Sequence, residues 1–141
     1  MSYDLLVFDA KATPRERAAF LQWYEDLTEW RDDAGYDDPS RCSLELQAWF
    51  REMIVKYPPM NGSLAPKHDE WPEDDARVSD YSLAPSAIYI AFSWSIAEEA
   101  FHDTKLLAAK HGVGFFNVNS DSSDVWAPDG RGNLVLLHSE S

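Results

Sequence analysis

The sequence predicts an α+β fold in which a single layer of helices packs on a mixed or antiparallel sheet. Three segments repeat apolar residues at helical spacing, and short β-branched or aromatic runs stand between and after them. The chain has 141 residues and 45% apolar content, which is enough for one core, so we expect one domain over 1–141. The element order is β-α-α-β(β)-α-β with a candidate C-terminal hairpin. A ferredoxin-like arrangement with an inserted second helix is one topology that fits this order.

The first strand and the first two helices come from the N-terminal part of the chain. The run Leu5–Phe8 is short and apolar, which is typical of a buried strand. Thr13-Pro14-Arg15-Glu16 has the pattern of a capping box with proline at the first helical position, and helical periodicity then continues to Trp30. Ser43 is predicted to cap a second helix, which ends at Pro58-Pro59 because the residue before a proline disfavours helical angles.

The second half of the chain alternates β-type segments with one helix. Pro85 interrupts a β-type segment, which therefore forms either a bulged strand or a hairpin. Ser95-Ile96-Ala97-Glu98 is a second capping-box pattern, and it predicts a third helix that ends at Gly112. A strand over 113–118 follows. The tail, 121–141, holds the candidate hairpin and is otherwise expected to be loose.

The overall charge excludes several classes of partner. The chain carries 25 acids against 12 bases, a formal net charge of −13. Nucleic acids and anionic membranes attract clustered Lys and Arg, so neither is an expected partner. The sequence shows no basic leader and no apolar run of the roughly 20 residues that a membrane span needs. Together with a single cysteine, these features predict a cytoplasmic protein.

Most of the negative charge lies in two segments. Acidic segment A, Glu25–Asp38, has a net charge of −6, and acidic segment B, Asp69–Asp80, has −5, inside a long loop over 63–80. Aromatic residues lie among the acids, which is the composition of a binding hot spot with a charged rim. We therefore predict a basic protein partner. The predicted contact residues are Asp32, Asp33, Tyr36, Asp37, Asp38, Asp69, Glu70, Trp71, Glu73, Asp74 and Asp75. The alternative is that both segments are solvated and that their tryptophans pack onto the core.

No motif for catalysis, metal binding or a cofactor is recognised. The chain has no Gly-x-Ser-x-Gly elbow and no zinc-ligand spacing, and its acidic clusters do not follow the order of a calcium loop. The single cysteine, Cys42, is expected to be a structural residue, either packed or partly exposed, and not a nucleophile. An alternative function is a small enzyme or small-ligand-binding module with a carboxylate of raised pKa. Its aromatic cleft would be lined by Trp30, Tyr36, Trp71 and Tyr81. A third hypothesis is a self-associating structural protein.

Several short motifs together resemble one group of small acidic bacterial proteins. They include Tyr3-Asp4-Leu5-Leu6-Val7-Phe8-Asp9, Phe20-Leu21-x-Trp23-Tyr24, Tyr36-x-Asp38-Pro39, Pro59-Met60-Asn61-Gly62 and Gly112-Val113-Gly114-Phe115-Phe116. In this pattern, over about the first 118 residues, the chain is similar to immunity proteins of polymorphic toxin and contact-dependent growth inhibition systems. The resemblance implies a cytoplasmic inhibitor that binds a cognate toxin with a basic surface, often a nuclease. It carries over no binding residue.

Overall fold

The structure is a computed structural model that describes residues 2–30, 36, 38–60, 75–119 and 123–139. Within those ranges it contains three α-helices and six strands, which confirms the α+β class and the predicted element order. The helices are α1 (Arg17–Leu27), α2 (Leu44–Lys56) and α3 (Ala97–His111). The strands are β1 (Tyr3–Phe8), β2 (Asp80–Ala84), β3 (Ala87–Phe92), β4 (Gly114–Phe116), β5 (Val125–Pro128) and β6 (Leu134–His138).

All six strands form one open sheet in the order β2-β3-β1-β4-β5-β6, and every neighbouring pair is antiparallel. The two strands that flank Pro85 pair with each other, so the hairpin alternative is correct there. The predicted C-terminal hairpin is also confirmed, since β5 pairs with β6. Among the described strands, β2 and β6 are therefore the two edge strands of the sheet.

The helices lie on both faces of the sheet. Leu5 and Val7 of β1 pack in the cluster that contains the buried side chains of α2 and α3. Leu6 and Phe8 point to the opposite face, where they pack with Phe20 of α1. The single layer that we expected thus consists of α2 and α3, and α1 forms a separate layer. The reason is that β1 is apolar at consecutive positions, so both of its faces need a cover.

The element order is ferredoxin-like once α1 is set aside. β1, α2, β2, β3, α3 and β4 follow one another in the order βαββαβ, with both connecting helices on one face. The added helix is therefore the first one, not the second. We call the face covered by α2 and α3 the helix face, and the other the α1 face.

Two of the three predicted helix starts need correction. α1 begins at Arg17, because the Glu16 carboxylate accepts hydrogen bonds from the Ala18 and Ala19 amides at 3.1 and 2.9 Å and so caps the helix itself. The Thr13 hydroxyl instead donates to the Asp9 carbonyl at 3.1 Å.

At α3 the predicted capping box is likewise not formed. A 3₁₀ turn over Trp94–Ile96 precedes the helix, whose N-cap, Ile96, has no side-chain hydrogen bond. The Ser43 cap of α2 is confirmed, with its hydroxyl accepting from the Leu46 amide at 3.4 Å. Gly112 ends α3 in the left-handed conformation, at φ +69°, as predicted.

The two helices of the helix face are joined by a buried hydrogen bond. The indole of Trp49 on α2 is fully buried and donates to the Thr104 carbonyl on α3 at 3.3 Å. No helix in the described ranges combines the length and apolar character required to cross a bilayer.

Candidate protein-binding site

Three of the predicted contact residues, Tyr36, Asp38 and Asp75, lie in the described part of the chain. The others lie outside the described residues: Asp32, Asp33, Asp37, Asp69, Glu70, Trp71, Glu73 and Asp74. The geometry of the site is therefore built from the described ends of the two acidic segments.

Acidic segment A begins at the C-terminal end of α1. Glu25 and Asp26 are exposed in the last turn, which contains no basic residue. The backbone dipoles of a helix leave partial negative charge at its C-terminal end, the same sign as these two carboxylates. The Asp26 carboxylate accepts one hydrogen bond, from the amide of Gln22 at 3.0 Å. The side chains and the backbone thus both make the electrostatic potential at this end of α1 negative, and a bound cation would be stabilised there.

An aromatic cluster holds segment A against the α1 face of the sheet. The ring of Trp30 packs edge-to-face against Tyr36, at 4.9 Å between centroids, and against Tyr89 of β3, at 5.7 Å. Trp30 is 36% exposed and has a positive φ of 51°, which few residues other than glycine adopt. Strained backbone of this kind is concentrated at functional sites. The cluster therefore presents an anchored aromatic surface beside the acids.

Tyr89 is a residue of this site that the sequence interpretation missed. Its hydroxyl donates to the Asp4 carboxylate of β1, and burial together with that hydrogen bond raises the pKa of Tyr89. A signal for it was present in the sequence. Tyr89 alternates with Ile88 and Ile90, so a period of two places its ring on the face opposite to the isoleucines.

The far end of segment A is fixed to edge strand β2. The Leu83 amide of β2 donates to the Tyr36 carbonyl at 2.8 Å. Just beyond the segment, the Ser43 amide donates to the carbonyl of Pro85 at 3.2 Å. Part of the β2 edge is therefore paired by the chain itself.

Asp38 has a local structural role within the same segment. Its carboxylate accepts hydrogen bonds from the Ser40 amide at 3.0 Å and the Ser40 hydroxyl at 2.7 Å, and it caps the 3₁₀ turn Pro39–Arg41. The Ser40 hydroxyl and amide lower the pKa of Asp38. The side chain is exposed, so it keeps a negative charge facing solvent.

Acidic segment B ends on the same strand. After a 3₁₀ turn over Asp75–Arg77, Ser79 pairs with the chain before the loop, accepting from the Met60 amide at 2.8 Å. Asp80, the last acid of the segment, is the first residue of β2. Asp80 and Leu83, where segment A is attached, are about 10 Å apart along the strand. The structure thus brings the ends of both acidic segments to one place, which we call the β2 edge.

The aromatic cleft of the alternative function is not formed as expected. Tyr81 is 3% exposed and lies on the helix face, where its hydroxyl donates to the Tyr57 carbonyl at 2.9 Å. Trp30 and Tyr36 lie beside Tyr89 on the α1 face, so Tyr81 cannot share a cleft with them. The described carboxyl groups whose pKa departs from the ordinary value do so downward. None of these groups has the raised pKa expected of a general acid.

Cys42 is a packed residue, as predicted. It is buried, its thiol lies 3.2 Å from the Ala84 carbonyl, and burial raises its pKa to about 11. Such a thiol is a poor nucleophile because little of it is thiolate at neutral pH. Among the described residues, no group of three or more His, Cys, Asp or Glu side chains is arranged to hold a metal ion.

Comparison with known proteins finds no match for this chain among family models, curated proteins or solved structures.

Proposed function

We propose that the protein is a cytoplasmic immunity protein that binds and neutralises a cognate bacterial toxin domain, a nuclease with a basic surface. The contact is made by the acidic and aromatic segments at the β2 edge. The observation that carries the proposal is the attachment of both acidic segments to one edge strand, through Tyr36 and Asp80. The resemblance to immunity proteins supports the same function.

The charge distribution supports a basic partner. The two segments carry −11 of the net −13, so the rest of the chain is close to neutral. A concentrated field of one sign steers an oppositely charged protein and can raise its association rate by a factor of about 10–1000. A nuclease must present Lys and Arg to the phosphates of its substrate. An acidic surface that occupies those side chains competes directly with nucleic acid.

The aromatic cluster supplies what charge alone does not. Rim charges mainly set the association rate and the choice of partner, whereas buried aromatic anchors supply most of the affinity. Trp30 is anchored by Tyr36 and Tyr89 while part of its ring stays exposed. It can therefore accept an apolar contact or an arginine over its face without losing much conformational freedom.

The test is co-expression with the product of the adjacent upstream gene, which we expect to encode the toxin. Cells that express both proteins should grow, cells that express the toxin alone should not, and the two proteins should co-purify. If the cells are not rescued and the two proteins do not co-purify, the proposal is overturned.

A matched pair of variants locates the contact within that assay. Reversing Asp32, Asp33, Asp37 and Asp38 to Lys should weaken rescue. The control reverses Glu45 and Glu98 to Lys, two exposed acids at the N-terminal ends of α2 and α3. Equal loss of rescue per reversed charge in both variants would contradict a contact at the β2 edge.

A further inference from the structure

The two edges of the sheet differ in how they are protected. At the β2 edge the Leu83 amide is already bonded to the Tyr36 carbonyl. In the described part of the chain, β6 pairs with β5 only. Its sequence, Leu-Val-Leu-Leu-His, contains neither Lys nor proline, the residues that commonly keep an edge strand from pairing with another chain.

β6 exposes apolar side chains on both faces. Val135 is 49% exposed and Leu136 is 50% exposed. Leu136 lies opposite Trp126 and so belongs to the helix face, whereas the neighbouring Val135 points to the other face. A register shift bends the pairing near Val125, yet the pairs from Leu136 back to Leu134 are regular. From Leu134 to Leu136 the strand thus keeps the regular geometry that pairing with another strand needs.

We propose that β6 is a homodimer interface, where the strand pairs antiparallel with β6 of a second copy. A two-fold axis beside β6 makes such a contact self-complementary, because each strand donates and accepts the same hydrogen bonds. The two six-stranded sheets become one sheet of twelve strands. With the two-fold axis beside Val135, Val135 of one copy lies opposite Val135 of the other on one face. On the other face, Leu136 of each copy lies opposite Leu134 of its partner, so all three are cross-strand apolar pairs.

The charge distribution selects a second copy at this edge. β6 lies five strand spacings from β2, about 24 Å, and the two β2 edges of the dimer would be about 53 Å apart. That distance is several times the Debye length of about 8 Å at physiological salt, so the acidic segments do not repel each other. Charges near β6 are of both signs: Arg17 bonds to His138, and Asp129 and Arg131 lie in the β5–β6 turn. The near-neutral β6 edge thus admits an equally acidic protein, whereas the β2 edge repels one.

The test is the molar mass of the full-length protein, measured by sedimentation equilibrium over a wide concentration range. The expected result is a reversible approach to twice 16.1 kDa. Val135→Lys places two lysines near each other across the two-fold axis and should weaken the dimer roughly tenfold or more. Val55→Lys is the matched control, because Val55 is also an exposed valine, 84% exposed on α2, and does not belong to β6. It should leave the dimer unchanged.

Three results would overturn the proposal: a monomer at every concentration, a dimer unaffected by Val135→Lys, or equal weakening by Val55→Lys. Hydrogen exchange of the unmodified protein decides the matter if Val135→Lys does not fold. Protection of the Leu134–His138 amides that rises with protein concentration supports the dimer, and protection independent of concentration contradicts it.

Discussion

The two edge strands of the sheet, β2 and β6, differ in how their outer sides are covered and charged. In the described ranges, β2 and β6 each have a neighbouring strand on one side only. The β2 edge is partly paired by the chain through Tyr36 and is surrounded by the ends of both acidic segments. β6 is apolar and close to neutral charge. We propose a basic protein as the partner of the first edge and a second copy of β6 as the partner of the second.

The contrast explains how a small acidic protein could bind two different partners without competition between them. Electrostatic steering acts over a distance and selects by sign, which is the basis for proposing the β2 edge as the site for a basic toxin. Strand pairing depends on backbone geometry and apolar contact, so it favours β6 for a second copy. The predictions below test each half of this comparison, starting with the largest expected effect.

Charge reversal at segment A should give the largest change. Mutating Asp32, Asp33, Asp37 and Asp38 to Lys moves the formal net charge from −13 to −5. The association rate with the toxin, measured by stopped-flow fluorescence at low salt, should fall by a factor of about 10–1000. In the control with Glu45→Lys and Glu98→Lys, the association rate should fall much less for each reversed charge. An unchanged rate in the segment A variant would place the interface elsewhere.

Alkylation of Cys42 measures how firmly the chain just after segment A is held at the β2 edge. The thiol is buried beside the Ala84 carbonyl, and its pKa is raised to about 11. Because the thiolate is the reactive form, iodoacetamide should label the native protein about 100-fold more slowly than the urea-unfolded chain at the same mildly alkaline pH. As Cys42 is the single cysteine, the labelled mass gives the rate directly. Equal labelling rates in the native and unfolded protein would mean that the chain around Cys42 opens freely.

Truncation of Trp30 should weaken binding chiefly through dissociation. Trp30→Ala removes the exposed ring of the aromatic cluster, and loss of a hot-spot residue costs about 2 kcal/mol, or roughly 30-fold in Kd. Trp94→Ala is the control, because Trp94 is also exposed and packs edge-to-face on a tyrosine, Tyr3, at 5.0 Å. Surface plasmon resonance should show faster dissociation for the first variant only. A similar loss of affinity in both variants would contradict the proposal that Trp30 is a binding hot spot.

A change of pH should affect the β6 edge slightly. Burial, followed by the nearby Arg17 guanidinium, lowers the pKa of His138, while Glu16 acts in the opposite direction. The unfolded chain then binds more protons than the folded one as the pH falls through about 6.5, so the free energy of unfolding should decrease from pH 7 toward pH 5. Urea titrations at several pH values measure this slope.

The matched variants for that slope are two histidine substitutions. His138→Gln should flatten it, and His102→Gln, at an exposed position of α3, should retain it. A slope that persists in His138→Gln would assign the pH dependence to other groups. The carboxyl groups with lowered pKa, such as Asp103 and Glu99, stabilise the fold while they are ionised. They lose that contribution to the free energy of unfolding only at more acidic pH, below the range in which His138 acts.

Most of the elements could be predicted because their signals are local. The periodicity of α2, its Ser43 cap and the Gly112 end of α3 are set by nearby residues. The start of α1 was placed wrongly for an equally local reason. Glu16 can serve as an N3 partner or as the cap itself, and the pattern of residue types is the same in both cases.

The candidate site was predicted only in part. The charge of segments A and B is a property of composition, and it is visible without a structure. Asp4 and Tyr89, which are 85 residues apart, become neighbours only when β1 pairs with β3. Tyr81 was assigned to the same cleft as Trp30, although β2 turns its side chain to the opposite face.

The fold class, the order of helices and strands along the chain, and the concentration of acid in two segments could thus be predicted from the sequence. These features depend on the local spacing of residue types and on simple counts. The tertiary structure alone decided that both segments end at one edge, that α1 covers a face of its own, and that β6 forms the opposite edge. The order of the strands within the sheet, and the face to which each side chain points, depend on contacts between residues far apart in the chain. No local pattern specifies those contacts.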